Sequence, residues 1–404
     1  MKGRLPCRPV PRRRLRSLLP LALVLASVLA TPATPAPPAG PALFVTPGGS
    51  DSQACTRAQP CKTLNGAYRL AKPGQVVEVG AGRYPAQTVE AKQGAPGAPI
   101  VFRAAPGASV TFESLTDHAS HVVFSRLNMQ LFWRVENTPV DVTFRNVNTH
   151  VFSIRSSVGV SVIGGSVGPW DSNKLAPIED NQVGDWDRTL PQPRRILIRG
   201  VFFHDFTHAF DASAHTDCLQ FTSGVDVTIE GNRFTNCDAD DIYIRGDFGA
   251  IRNFLVENNF FAHTASAPFS VRLSGPTSPH PCENVLVRYN SALQRMWSDC
   301  PAAGPRGVRF SSNIISNEEE YHCSTSEAAG ATWDHNVIEV GVKCGPTDLV
   351  APVQYRNRAK LDLRLMPGSA AIGRGDPASY PAIDIFGHHR PKGRTPDAGA
   401  DEVG

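Results

Sequence analysis

Long apolar runs are missing from this 404-residue chain. The longest, Leu18 to Ala30, holds 13 residues against the ~20 that a helix needs to cross a bilayer, so no membrane span is expected in the mature chain. CxxC pairs are also absent, which argues against a zinc ribbon. No lysine occurs between Lys174 and Lys343, so the middle of the chain has no lysine to serve as a base. Charged residues are only 19% of the sequence and apolar residues 41%, a balance that excludes disorder and supports a sizeable core. Gly and Pro, 34 of each, follow no strict period; this excludes collagen and favours many short elements joined by turns.

What is present begins with charge at one end. Seven basic residues (Lys2, Arg4, Arg8, Arg12, Arg13, Arg14 and Arg16) precede the first acid, Asp51. With the apolar stretch behind them and small residues near Ala30 to Ala36, residues 1–36 read as a secretion signal and 37–42 as a linker. Arg12 and Arg13 would also suit twin-arginine export. Without those seven, 33 basic residues stand against 37 acidic ones, so no nucleic-acid surface is expected. The mature protein is expected to be secreted and monomeric. Apart from Cys7, eight cysteines remain, an even number that suits an oxidising compartment. Sequential pairing predicts Cys55–Cys61, Cys218–Cys237, Cys282–Cys300 and Cys323–Cys344.

The middle of the chain repeats itself. Five alternating apolar runs end in Asn and an apolar residue: VTIEGNRF, FLVENNFF, VLVRYNSAL, VRFSSNII and ATWDHNVI. Their shared asparagines, Asn232, Asn259, Asn290, Asn313 and Asn336, are 27, 31, 23 and 23 residues apart. Weaker copies precede them. Such units of short strands cannot bury an apolar face alone, whereas stacked coils can, with the asparagines bonding from turn to turn. The fold class expected is all-β: a right-handed parallel β-helix with a short N-terminal capping helix, over residues 43–404.

Here the sequence resembles bacterial secreted proteins of the pectate lyase-like superfamily, over roughly residues 43 to 400. PCKTLNGAYRLAKPGQVVEVGAGRY (Pro60 to Tyr84) is similar to the family's capping helix and first strand. Leu64, Ala67, Tyr68 and Ala71 fall at helical spacing and would cover the open end of the core. Residues 43–85 thus form the N-terminal cap and first strands. MPGSAAIGRGDP and RTPDAGADEVG resemble the family's C-terminal cap, residues 345–404.

Two acidic sites lie one repeat apart, Asp217 before one strand and Asp240 with Asp241 before the next. Stacking would set them ~4.8 Å apart along the axis, where paired carboxylates can serve as acid and base or bind a cation. The pattern is similar to polygalacturonase-type hydrolases. That resemblance maps His215-Thr216-Asp217 and Asp240-Asp241-Ile242 onto the active strands and gives His263 the place of the histidine; its flanking glycines and an Arg-x-Lys are absent. It implies a hydrolase of uronic-acid-containing polysaccharide that needs no cofactor. A lyase reading of the same groove uses calcium on Asp217, Asp238 and Asp241, with Arg245 or Arg272 as base; pairing of these arginines with Asp247 or Asp240 is the structural alternative. Gln220 and Tyr243 are expected to contact sugar. Trp170 and Trp186, on the long interruption Ser166 to Arg195, either form a stacking wall or anchor the loop. A third reading keeps the solenoid as a non-catalytic protein that binds glycans or forms part of an envelope, with the acids only capping strand ends.

Overall fold

The structure is a computed structural model that describes residues 42–92, 97–171, 181–207, 216–263, 269–274, 280–318 and 330–403. Residues 1–36, read above as a leader, lie outside them. Most coils contribute a strand to each of three faces, and successive coils pair in parallel. The first sheet has 12 strands, running from Leu43–Val45 through Gly224–Glu230 and Ile251–Glu257 to Thr332–Asp334. A second, of nine, runs from Gln87–Val89 through Gln220–Phe221, Ile242–Arg245 and Phe269–Ser274 to Arg295–Ser298. The third includes Phe202–Thr207, Arg233–Cys237, Phe260–Ala262 and Ile314–Glu318. The result is a parallel β-helix. Among the described strands, only Tyr355–Asn357 and Asp362–Leu365 pair antiparallel.

Alternation along each strand sends every second residue inward, and register then stacks like on like. Phe102, Phe124 and Phe144 form one column, with ring centroids 5.3 and 5.1 Å apart. Phe203, Phe234 and Phe261 form another, at 4.6 and 5.0 Å. These spacings follow the strand-to-strand distance of a sheet, so aromatic stacking costs the backbone no distortion.

The corner after the first sheet is made the same way in coil after coil. A residue with positive φ (Gly231, Asn258, Tyr289, Ser312 or His335) turns the chain, and the ladder asparagine follows it. Asn259 Nδ2 donates to Asn290 Oδ1 at 2.9 Å and to Ile229 O at 3.0 Å, while Asn290 Oδ1 also accepts from Asn259 N at 3.0 Å. The pattern runs from Asn232 to Asn336, where Asp348 closes it by accepting from Asn336. Each buried side chain thus satisfies backbone groups that the turn leaves over.

The capping helix is Leu64–Leu70, with Thr63 as its N-cap accepting from Gly66 N. Leu64, Ala67, Tyr68 and Ala71 are buried as their spacing requires. The C-terminal segment does more than follow the last coil. It runs back along the flank: Gly399 N donates to Ser312 O, and Asn258 Nδ2 donates to Ile383 O at 2.8 Å. Gly399 has φ +88°, and a Cβ there would lie 2.5 Å from Ile314 Cδ1, so the close approach requires glycine.

Three of the expected disulfides are formed: Cys55–Cys61, Cys218–Cys237 and Cys282–Cys300. Cys344 is also disulfide-bonded; its expected partner, Cys323, lies outside the described residues. Replacing Cys218 and Cys237 together by serine reopens a loop with a sequence separation of 19. A loss of about 3 kcal/mol is expected from the freed chain entropy, measured by urea unfolding.

Candidate active site

The second sheet carries the site. In the strand Ile242–Arg245, Ile242 and Ile244 enter the core, so Tyr243 and Arg245 face outward. Register extends the Tyr243 position into a column: Gln182, Gln220, Tyr243, Arg272 and Trp297. Arg272 is its centre. Its guanidinium carbon lies 4.9 Å from the Tyr243 ring centroid, 5.1 Å from that of Trp297 and 5.5 Å from that of Phe269. Phe269 and Trp297 stack at 5.3 Å. A planar cation framed by aromatic faces is held in one orientation and keeps donors for a planar anion.

The acids line the edge of the same sheet. Arg272 Nη1 is 3.6 Å from Asp240 Oδ2. Asp217 Oδ1 accepts from the backbone N–H of Asp240 at 3.0 Å, so the acids do stack one coil apart. Cys218 N in turn donates to Asp240 O, and the Cys218–Cys237 disulfide fixes the strand start just beyond Asp217. Asp217, Asp240 and Asp241 are all buried. His263 Nε2 lies 2.7 Å from Asp241 Oδ2, and both side chains are sealed from water. Burial pushes the Asp241 carboxyl up, and the charge of His263 and its bond offset part of that. Burial alone would lower His263, but the charge of Asp241 outweighs it and the imidazole stands above its ordinary value.

Several expected site residues fall elsewhere. Trp170 is buried in the third sheet, paired with Phe206, so its ring cannot face a sugar; the anchoring role is the one its packing displays. Trp186 is exposed and meets Phe248 edge-on at 5.2 Å, over the coil that holds Arg245. Arg245 pairs with Asp247 as well as lying over Tyr243. Gln220 shares the outward column of Tyr243 and, like it, is buried by its neighbours. His215 lies outside the described residues. Among the described residues, the acid and histidine groups whose ligand atoms lie within 4.8 Å of one another are Asp334, His335 and Asp376, and Asp384, His388 and Asp401; Asp217, Asp238 and Asp241 are not such a group.

Trp297 and Phe269 were not singled out from the sequence. The signal was the coil after Arg272, where RMWS stacks on SVRLS and sets Trp297 in register with Arg272.

No family model and no curated protein matches the chain. Among solved structures, XylC in complex with xylose aligns over 89% of this chain and 98% of its own, at 10% identity and a TM-score of 0.51. Pectate lyase Pel9A aligns over 90% and 96%, at 12% and 0.45. The GH136 lacto-N-biosidase from Eubacterium ramulus aligns over 75% and 60%, at 11% and 0.35. At 10% identity the XylC match speaks for the fold alone: the chain is a parallel β-helix, as its sequence led us to expect.

Proposed function

We propose that this chain is a secreted carbohydrate-active enzyme that cleaves glycosidic bonds in an extracellular, uronic-acid-containing polysaccharide, at the outer face of the second sheet. One observation carries the reading: Arg272 stands beside buried Asp240 in a frame of Tyr243, Phe269 and Trp297, with Asp217 stacked one coil away. Sugar rings stack on aromatic faces, and a guanidinium forks onto a uronate carboxylate. Hydrolysis needs two carboxyl groups, one to protonate the leaving oxygen and one to activate water, and Asp240 and Asp217 supply them. Asp241 and His263 act as positioning residues beneath. The basic leader and the disulfides support export.

The placement of Arg272 favours a second reading, in which a uronate is cleaved by β-elimination with Arg272 near the α-proton. The test is incubation with neutral and uronic polysaccharides, with calcium or chelator, reading reducing ends and the absorbance of unsaturated products together. Reducing ends without absorbance are expected for hydrolysis. Both signals together mark elimination, and their loss with chelator would add a metal. Silence across the panel, unchanged in Asp217→Asn, would leave a glycan-binding solenoid.

A further inference from the structure

A second polar cleft lies away from this face, at the corner between the first sheet and the returning C-terminal segment. Its volume is about 710 Å³, within the range of small-ligand sites. Its floor is the last outward column of the first sheet, where register stacks Arg199, Glu230, Glu257 and Arg288 on successive coils. Arg199 Nε donates to Glu230 Oε1, and Arg288 Nε donates to Glu257 Oε2 at 2.7 Å. The order of charges is plus, minus, minus, plus. The roof is Tyr380 to Gly387, with Ile383 and Phe386 exposed.

This cleft is built rather than left over. Arg288 Nη1 donates to Ser379 Oγ at 3.0 Å, and Asn258 Nδ2 holds Ile383 O, so the floor and roof are tied at two points. Phe386 packs 5.8 Å from Phe260 and 5.5 Å from the Arg233 guanidinium. Each carboxylate is fixed by one arginine bond and, with about four acceptor positions, retains capacity for hydroxyl donors. Burial pushes Glu257 up, with Arg288 pulling it back. The floor sums to zero charge, and Asp384, the one further charged residue of the lining, is buried and accepts from the backbone N–H groups of Phe386 and His388. The floor therefore offers no surplus cation for a uronate and no surplus anion for an amine or a metal ion. What such a surface fits is an uncharged ligand rich in hydroxyls, with apolar C–H faces for Tyr380, Ile383 and Phe386.

We propose that the Glu230–Glu257 cleft is a second carbohydrate-binding site, selective for a neutral segment of glycan. It would hold a polymer on the flank of the solenoid while the second-sheet face engages another stretch. The test is affinity electrophoresis and calorimetry with neutral oligosaccharides of glucose, mannose, galactose and xylose, and with uronic oligomers. It is carried out on the Arg272→Ala chain, so that a failure of the second-sheet face leaves the cleft's signal readable. Binding of at least one neutral oligomer is expected, with a tenfold or greater loss in Phe386→Ala and in Glu230→Ala. Should Phe386→Ala fail to fold, as its melting curve would reveal, Tyr380→Ala serves in its place. Neutral binding untouched by these variants overturns the proposal; so does binding confined to uronic oligomers, or none at all.

Discussion

His263→Gln is expected to lower the unfolding free energy by about 3 to 5 kcal/mol, because it leaves the Asp241 carboxylate buried without its cation. The loss also depends on pH in a defined direction. The folded pKa of His263 is raised, so its contribution is fully present below its ordinary value of 6.5 and disappears as pH rises through the higher folded value. The Asp241 carboxyl is raised as well, above 3.8, and it too binds its proton more tightly in the native chain; its contribution fades as pH rises through its own folded value. Both groups make the native state hold more protons than the unfolded one, so both weaken it towards alkaline pH. The gap between wild type and His263→Gln should therefore be widest in mildly acidic solution and narrow as the imidazole of the wild type discharges. Asp238, whose charge also raises His263, adds in the same sense. Urea midpoints across this range provide the check, and a gap that widened towards alkaline pH would show that the pair is not an ion pair in the native chain.

The parts of the fold that repeat were the parts legible in the sequence. Asn232, Asn259, Asn290, Asn313 and Asn336 recur because each corner has the same backbone amides to satisfy, and the ladder forms from all five. Leu64, Ala67 and Tyr68 announced the capping helix because an amphipathic turn has only one way to bury that face. Side-chain commitments were harder to see. Nothing in the AHTAS segment reveals that His263 would be sealed against Asp241, and nothing in GPWDS reveals that Trp170 would pair beside Phe206. Those outcomes depend on which coil lies above, that is, on loop lengths. The Arg199, Glu230, Glu257 and Arg288 column was written into the repeat itself, two residues before each ladder asparagine for the last three. Its meaning required the C-terminal segment, which closes over it from more than 90 residues away.

The largest effects on activity should come from Asp240 and Arg272, and the balance between them separates the two chemistries. If Asp240 is half of a hydrolytic pair, Asp240→Asn removes a proton-transfer group and lowers kcat by about 10² to 10⁴. Arg272→Lys then keeps a cation but loses the fork and its stacking on Tyr243 and Trp297, so the expected loss falls mainly on KM for uronic substrates. Under elimination the order reverses. A lysine cannot reproduce the placement of a guanidinium base, so kcat would collapse in Arg272→Lys, while Asp240→Asn, which only orients that arginine across 3.6 Å, would cost far less. Steady-state kinetics on one uronic substrate, with melting curves for both variants, decide between them. Variants that stayed folded and kept kcat and KM within threefold of wild type would remove the second-sheet face from the chemistry altogether.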